Sequence, residues 1–123
     1  MSFRFAVLAL SILLVSCSKD PEVAKREFAA NGDAYVKQQK YAEAAIEYRN
    51  AIQQDPRFGE ARLKLAETYM KLNQLAEAAR EYVRAADLLP ANADAQMKAG
   101  RMLLLGALHH RQPFPHGDRL IGH

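Results

Sequence analysis

Two prolines, Pro56 and Pro90, stand 34 residues apart, and when the segments ahead of them are superposed at that offset much else coincides. Tyr35 falls on Tyr69, Ala44 on Ala78, Ala45 on Ala79, Tyr48 on Tyr82 and Ala51 on Ala85. A fixed period of this length restricts the chain to a stack of like units, each of which buries its apolar face only against the next. Between the prolines the sequence is rich in Ala, Glu, Lys, Arg and Leu, with apolar residues at three- and four-residue spacing, so the units read as helical. The expected helices span about 22–38, 41–54, 57–72, 75–88 and 92–105, an all-α architecture.

The recurring residues have physical tasks. Proline ends a helix and drives the residue before it out of helical geometry, so Asp55 and Leu89 mark turns. Asp20 ahead of Pro21 is an N-cap for the first helix. Ala44 and Ala78 let paired helices approach closely, and Tyr48 and Tyr82 fill the space beside them, each contributing about 1.5–3 kcal/mol when fully buried. Glu22 and Arg26, Glu60 and Lys64, Glu67 and Lys71, and Asp94 and Lys98 are each four apart with the acid first. Such pairs contribute about 0.2–0.5 kcal/mol each and are expected on solvated faces.

The alternation of large and small residues at this period resembles the tetratricopeptide repeat. With proline at place 32, the first repeat covers 25–58, the second 59–92, and a partial third 93–106, together an array over 22–105. Gly32 and Tyr35 then occupy the family's Gly and Tyr places, and Ala44, Tyr48, Ala51 and Pro56 its Ala, aromatic, Ala and Pro places. The second copy keeps all of these except Gly32, whose counterpart is Ala66. The third opens with Gly100 in the Gly place, but Leu103 replaces the Tyr and Gln112 stands where the first small residue of the second helix belongs. The tail, 107–123, holds Pro113, Pro115 and Gly117 and is expected to be irregular. Met102, Leu103, Leu104 and Leu105 would then lie on a last helix without a partner, whereas arrays normally end in a polar outer face. An uncapped apolar face invites aggregation, self-association or a partner. The break predicts that the chain is the front of a longer array, cut short or shifted out of frame near Gly106.

The resemblance implies a trough lined by the first helix of each repeat, in which a protein or peptide binds. The lining places fall on Arg26, Ala29, Asp33, Val36 and Lys37, then Glu60, Leu63, Glu67, Met70 and Lys71. Some relatives clamp a C-terminal carboxylate with Lys and Asn at the second and third of these places. Here Ala29 or Leu63 and Asp33 or Glu67 stand there, so that clamp is missing and the acids are expected to repel a carboxylate.

The N-terminus carries a separate signal. An eleven-residue apolar run, Phe5 to Val15, follows Arg4 and closes on Leu14-Val15-Ser16-Cys17, which contains the only cysteine. The run has the layout of a secretory signal peptide and falls well short of the roughly 20 apolar residues that span a bilayer. Its end resembles the lipobox of bacterial lipoproteins, which implies removal of 1–16, lipidation of Cys17, and a short linker over 17–21. Acyl chains contribute about 0.8 kcal/mol per buried methylene, so two or three hold a protein on a membrane. In such lipoproteins Ser18 after the cysteine implies the outer membrane, facing the periplasm. Cleavage would leave 107 residues with 16 basic and 14 acidic side chains, a formal charge of +2, interleaved along the chain. No basic stripe suited to nucleic acid results. With its one cysteine committed to lipid, the chain has no internal disulfide.

No nucleophile with a matched base, Gly-rich phosphate loop or paired carboxylates appears, so neither an enzyme nor a cofactor is expected. His109, His110, His116 and His123 invite comparison with a metal site, but the tail holds one carboxylate, Asp118, and no rigid frame, so no metal is expected. Cys17 through Pro90 resembles the opening of long bacterial tetratricopeptide lipoproteins, including those of exopolysaccharide export and the PEP-CTERM sorting system. The role implied is an outer-membrane scaffold in an envelope assembly. A pilotin-like assembly factor and a non-functional fragment are the alternatives.

Overall fold

The computed structural model describes residues 19–110, and every described element is a helix. Helix α1 spans Pro21–Lys37, α2 Tyr41–Gln54, α3 Gly59–Lys71, α4 Leu75–Leu88 and α5 Ala93–His110. Each helix packs on the next, and the three-residue turns 38–40 and 72–74 fold α1 against α2 and α3 against α4 as hairpins. The signal region with Cys17, and the tail from Arg111 with His116, Asp118 and His123, lie outside the described residues.

The turns follow from the sequence. Asp20 accepts the backbone N–H of Glu22 at 2.9 Å, as an N-cap should. Asp55 and Leu89, each ahead of a proline, leave helical geometry at φ −145° and −122°. Within each hairpin the first helix ends on a left-handed residue, Gln39 at φ 60° and Asn73 at φ 58°, again 34 positions apart. The N–H of Lys40 then bonds the Tyr35 carbonyl and that of Gln39 the Val36 carbonyl, both at 2.9 Å, which closes the helix end. Gln74 and Asn73 repeat both bonds, to Tyr69 and Met70.

The core is built from the small residues and aromatics of the repeat. Ala44, Ala51, Ala61, Ala66, Ala78, Ala85 and Ala95 are fully buried, and Tyr48 is 2% exposed. Gly32 is required by close approach, because a Cβ there would stand 2.5 Å from the Tyr48 ring. Ala66 fills the same place in the second repeat, where Tyr82 packs in one cluster with Ala66, Ala78, Ala86 and Ala99.

Four expectations are corrected. Helix α3 starts at Gly59 instead of 57, since Arg57 and Phe58 complete the turn bonded to Asp55. Helix α5 does not stop near Gly106 and runs to His110, so residues 107–110 are not irregular. The left-handed place of the two earlier turns falls on Ala107, and the helix continues through it. Met102 is not bare, because it packs against the Ala66–Tyr82 cluster. Met97, Leu103, Leu104, Leu105 and Leu108 are the exposed large apolar residues of α5, at 53–62%.

Candidate functional site

Among the described residues, a cleft joins the two repeats through their first helices. An open hollow of about 240 Å³ lies between α1 and α3, lined by Asp33, Val36, Tyr41, Tyr48, Lys64, Glu67, Thr68 and Lys71. Four of the expected trough residues, Asp33, Val36, Glu67 and Lys71, therefore meet in one place. Arg26 and Glu60 lie apart from them, in a shallow depression beside the turn at Asp55. Ala29 is not a lining residue but is buried with Ala51 and Ala61, and Leu63 packs inward on the Ala66–Tyr82 cluster. Met70 and Lys37 are exposed and line neither hollow.

The charges of the cleft are arranged across repeats, not along helices. Both carboxylate oxygens of Asp33 accept from Lys64 Nζ, at 2.8 and 2.7 Å, and Oδ1 also accepts from the Tyr48 hydroxyl at 2.7 Å. One period later Glu67 accepts from Lys98, which also donates to Asp94 at 2.7 Å. Asp33–Lys64 and Glu67–Lys98 are the same pair of places shifted by 34 residues, so they form a ladder that binds α1 to α3 and α3 to α5. Of the four expected pairs within single helices, only Asp94–Lys98 forms. Lys64 and Glu67 are drawn into the ladder, and Glu22 pairs with Lys25 in place of Arg26. Lys64 and Lys98 each reach an acid of the preceding first helix, a partly solvated contact that contributes up to about 1 kcal/mol.

Titration follows from this arrangement. Partial burial works against the Asp33 charge, but the hydrogen bonds from Lys64 and Tyr48 and the Lys64 and Lys37 charges outweigh it, and its pKa lies below the usual aspartate value. Burial, followed by the Asp33 carboxylate, pushes the Tyr48 hydroxyl upward, so it remains a donor. Burial also opposes the Lys98 charge, yet Asp94 and Glu67 prevail and raise its pKa. The acids of the cleft are thus fixed and neutralised from within. Lys71 forms no ion pair among the described residues, nor does Lys37. The two acids expected to repel a carboxylate are therefore each engaged by a lysine, and the lining keeps Lys71 outside any ion pair among the described residues.

A second polar contact was invisible to sequence reading. Arg62 of α3 donates to Glu81 of α4 at 2.8 Å and twice to the Pro56 carbonyl, at 3.0 and 2.9 Å, with the pair only 11% and 14% exposed. It fastens the second hairpin to the turn before it. No group of three or more potential metal-ligating side chains is gathered among the described residues. No described helix is long and apolar enough to cross a membrane.

Comparison with known proteins accords with this geometry. Residues 32–73 match a model described as TPR repeat, and residues 63–109 one described as tetratricopeptide repeat. The chain carries a tetratricopeptide array. The two matches overlap in α3, the helix that is shared between both rungs of the ladder. No curated protein matches the chain in sequence. Tetratricopeptide arrays are generally non-enzymatic scaffolds that bind proteins or peptides.

Proposed function

We propose that this tetratricopeptide array is an envelope scaffold, held to the outer membrane by lipid on Cys17, whose α1–α3 cleft receives a segment of another protein in an export or assembly system. The observation that carries the binding role is the cleft itself. It is open and partly apolar through Val36, Tyr41 and Tyr48, and its two acids are already satisfied by Lys64 and Lys98. A protein segment laid there need not neutralise them, and Lys71 at its edge favours a segment with carboxylates. The anchor is supported by the apolar run that ends on Cys17, and its assignment to exopolysaccharide export rests on resemblance. A pilotin-like role is the alternative in the same location. The open face of α5 offers a further contact, either to another copy or to a different helix.

The binding role is tested by placing a photo-crosslinking residue at Val36 or Lys71 in the native cell, with the exposed Arg84 of α4 as control. Crosslinks to one envelope protein from the two cleft positions, and none from Arg84, are expected. Equal labelling from all three, or none, would refute the cleft. Intact mass of the membrane-extracted protein tests the anchor: acyl chains on a chain that starts at Cys17 are expected, and an unlipidated mass overturns it. Loss of polysaccharide export on deletion, with secretin and β-barrel assembly unchanged, separates the scaffold from the pilotin reading.

A further inference from the structure

The exposed face of α5 is not a random apolar surface, because the chain itself shows what belongs on it. Helix α5 continues the register of α1 and α3: Ala95 is buried as Ala61 is, and Lys98 pairs with Glu67 as Lys64 pairs with Asp33. Its counterpart to Gly32 is Gly100. At Gly32 the ring of Tyr48 from α2 sits so close that a Cβ would stand 2.5 Å away, whereas at Gly100 nothing lies within 4 Å of the same position. Beside the notch, Leu103 and Leu104 are 62% and 60% exposed, at the places where Tyr35 and Val36 pack against the Ala44–Tyr48 cluster. The polar neighbour also differs in kind. Asp33 accepts the Tyr48 hydroxyl at 2.7 Å, but the residue one period beyond Glu67 is Arg101, which has no ion-pair partner among the described residues.

We propose that α5 presents a docking site for an amphipathic helix of another protein, one that inserts an aromatic ring into the Gly100 notch and sets a carboxylate against Arg101. The small residue four before the ring, as Ala44 precedes Tyr48 and Ala78 precedes Tyr82, completes the fit. A second folded copy supplies this poorly, since the aromatics of its paired helices, Tyr48 and Tyr82, are already buried at 2% and 5% exposure. The only acid of α5, Asp94, is engaged by Lys98. None of the residues that line the α1–α3 cleft lies on α5.

The probe is a fluorescent peptide with the sequence of residues 41–54, stapled through the exposed positions 42 and 46, titrated into the full chain by anisotropy. Saturable binding is expected, weakened at least about tenfold by Gly100→Leu in the protein or by alanine in place of the peptide's Tyr48. Gly100→Leu meets no neighbour and removes a helix-interior glycine, so its melting temperature is expected at or above that of the wild type. Leu104→Glu, at an exposed position, provides the same loss of binding should the first variant fold poorly. No saturable binding, or binding unchanged by either variant, overturns the proposal. So does a dimer in sedimentation that Gly100→Leu dissociates, which would assign the face to a second copy. Binding that appears only after removal of residues 111–123 would assign it to the chain's own tail and overturns it equally.

Discussion

Replacing Gly32 by alanine tests the close approach on which the first hairpin rests. In an ordinary helix interior Gly→Ala stabilises by about 0.5–1 kcal/mol. At Gly32 the added Cβ would meet the Tyr48 ring at 2.5–2.8 Å, far inside contact distance, and Tyr48 is among the most deeply buried side chains. The ring must move, at an overpacking cost of about 1–3 kcal/mol. Moving it also withdraws the hydroxyl from Asp33, and a hydrogen bond to a charged group contributes about 1.5–3 kcal/mol. Ala66 shows the relaxed form of this arrangement, because Tyr82 is buried beside it without a hydrogen bond to Glu67. Set against the helix-propensity gain, these costs leave a net destabilisation of about 1.5–5 kcal/mol, a fall in melting temperature of about 4–8 °C for each kcal/mol in an array of this size. Circular dichroism at the helix band, with urea and heat, measures it. Gly100→Ala, at the same place of the third repeat with nothing within 4 Å, should shift stability in the opposite direction. Tyr48→Phe should then cost less in the Gly32→Ala background than in the wild type. A Gly32→Ala protein as stable as the wild type, or equal signs for the two glycines, would refute the argument.

Arg62→Met should cost about 2–4 kcal/mol in urea unfolding, because it leaves the largely dry Glu81 only its 3.6 Å contact with Arg84 and strips the Pro56 carbonyl of both donors. Lys64→Met should cost under about 1 kcal/mol, since that pair is 41% exposed on both sides; equal costs would mean that burial does not distinguish them. Asp33 has a pKa below the ordinary value of 3.8, so it stabilises the fold above that pH and the contribution fades as pH falls through the folded value. The drop in urea midpoint between about pH 5 and pH 3 should therefore be smaller in Asp33→Asn than in the wild type, and an unchanged slope would remove Asp33 from the acid response. Gln39→Gly should stabilise by about 0.4–1 kcal/mol by relieving a left-handed side chain, and Asn73→Gly by less because asparagine tolerates that geometry.

Most of the helical frame was legible because its causes are local. Helices α2 and α4 fall at the residues expected, between the turn residues that precede them and the prolines that follow. The ladder was not legible helix by helix, since a pair four apart and a pair 31 apart use the same residue types, and only the spatial stack decides between them. A trace of it existed in the period, for the acid and the lysine recur together one repeat on as Glu67 and Lys98. The end of α5 had a similar trace. Gln39 and Asn73 occupy one place of the repeat, and Ala107 in that place puts a strong helix former where a side-chain amide had stood twice.

These two traces bear on one another. The ladder satisfies each acid of a first helix with a lysine from the next first helix, so every rung presumes a successor. At the third repeat the acid gives way to Arg101 and the turn residue to Ala107, within one helix. A lysine in the next first helix would meet like charge at Arg101 and continue nothing, while a carboxylate would close the rung with the sign reversed. The helix that runs through the place of the two earlier turns is thus also the one whose charge is inverted at the acid's place. An acid facing Arg101, where Asp33 and Glu67 face lysine, would rebuild the rung with its two charges exchanged.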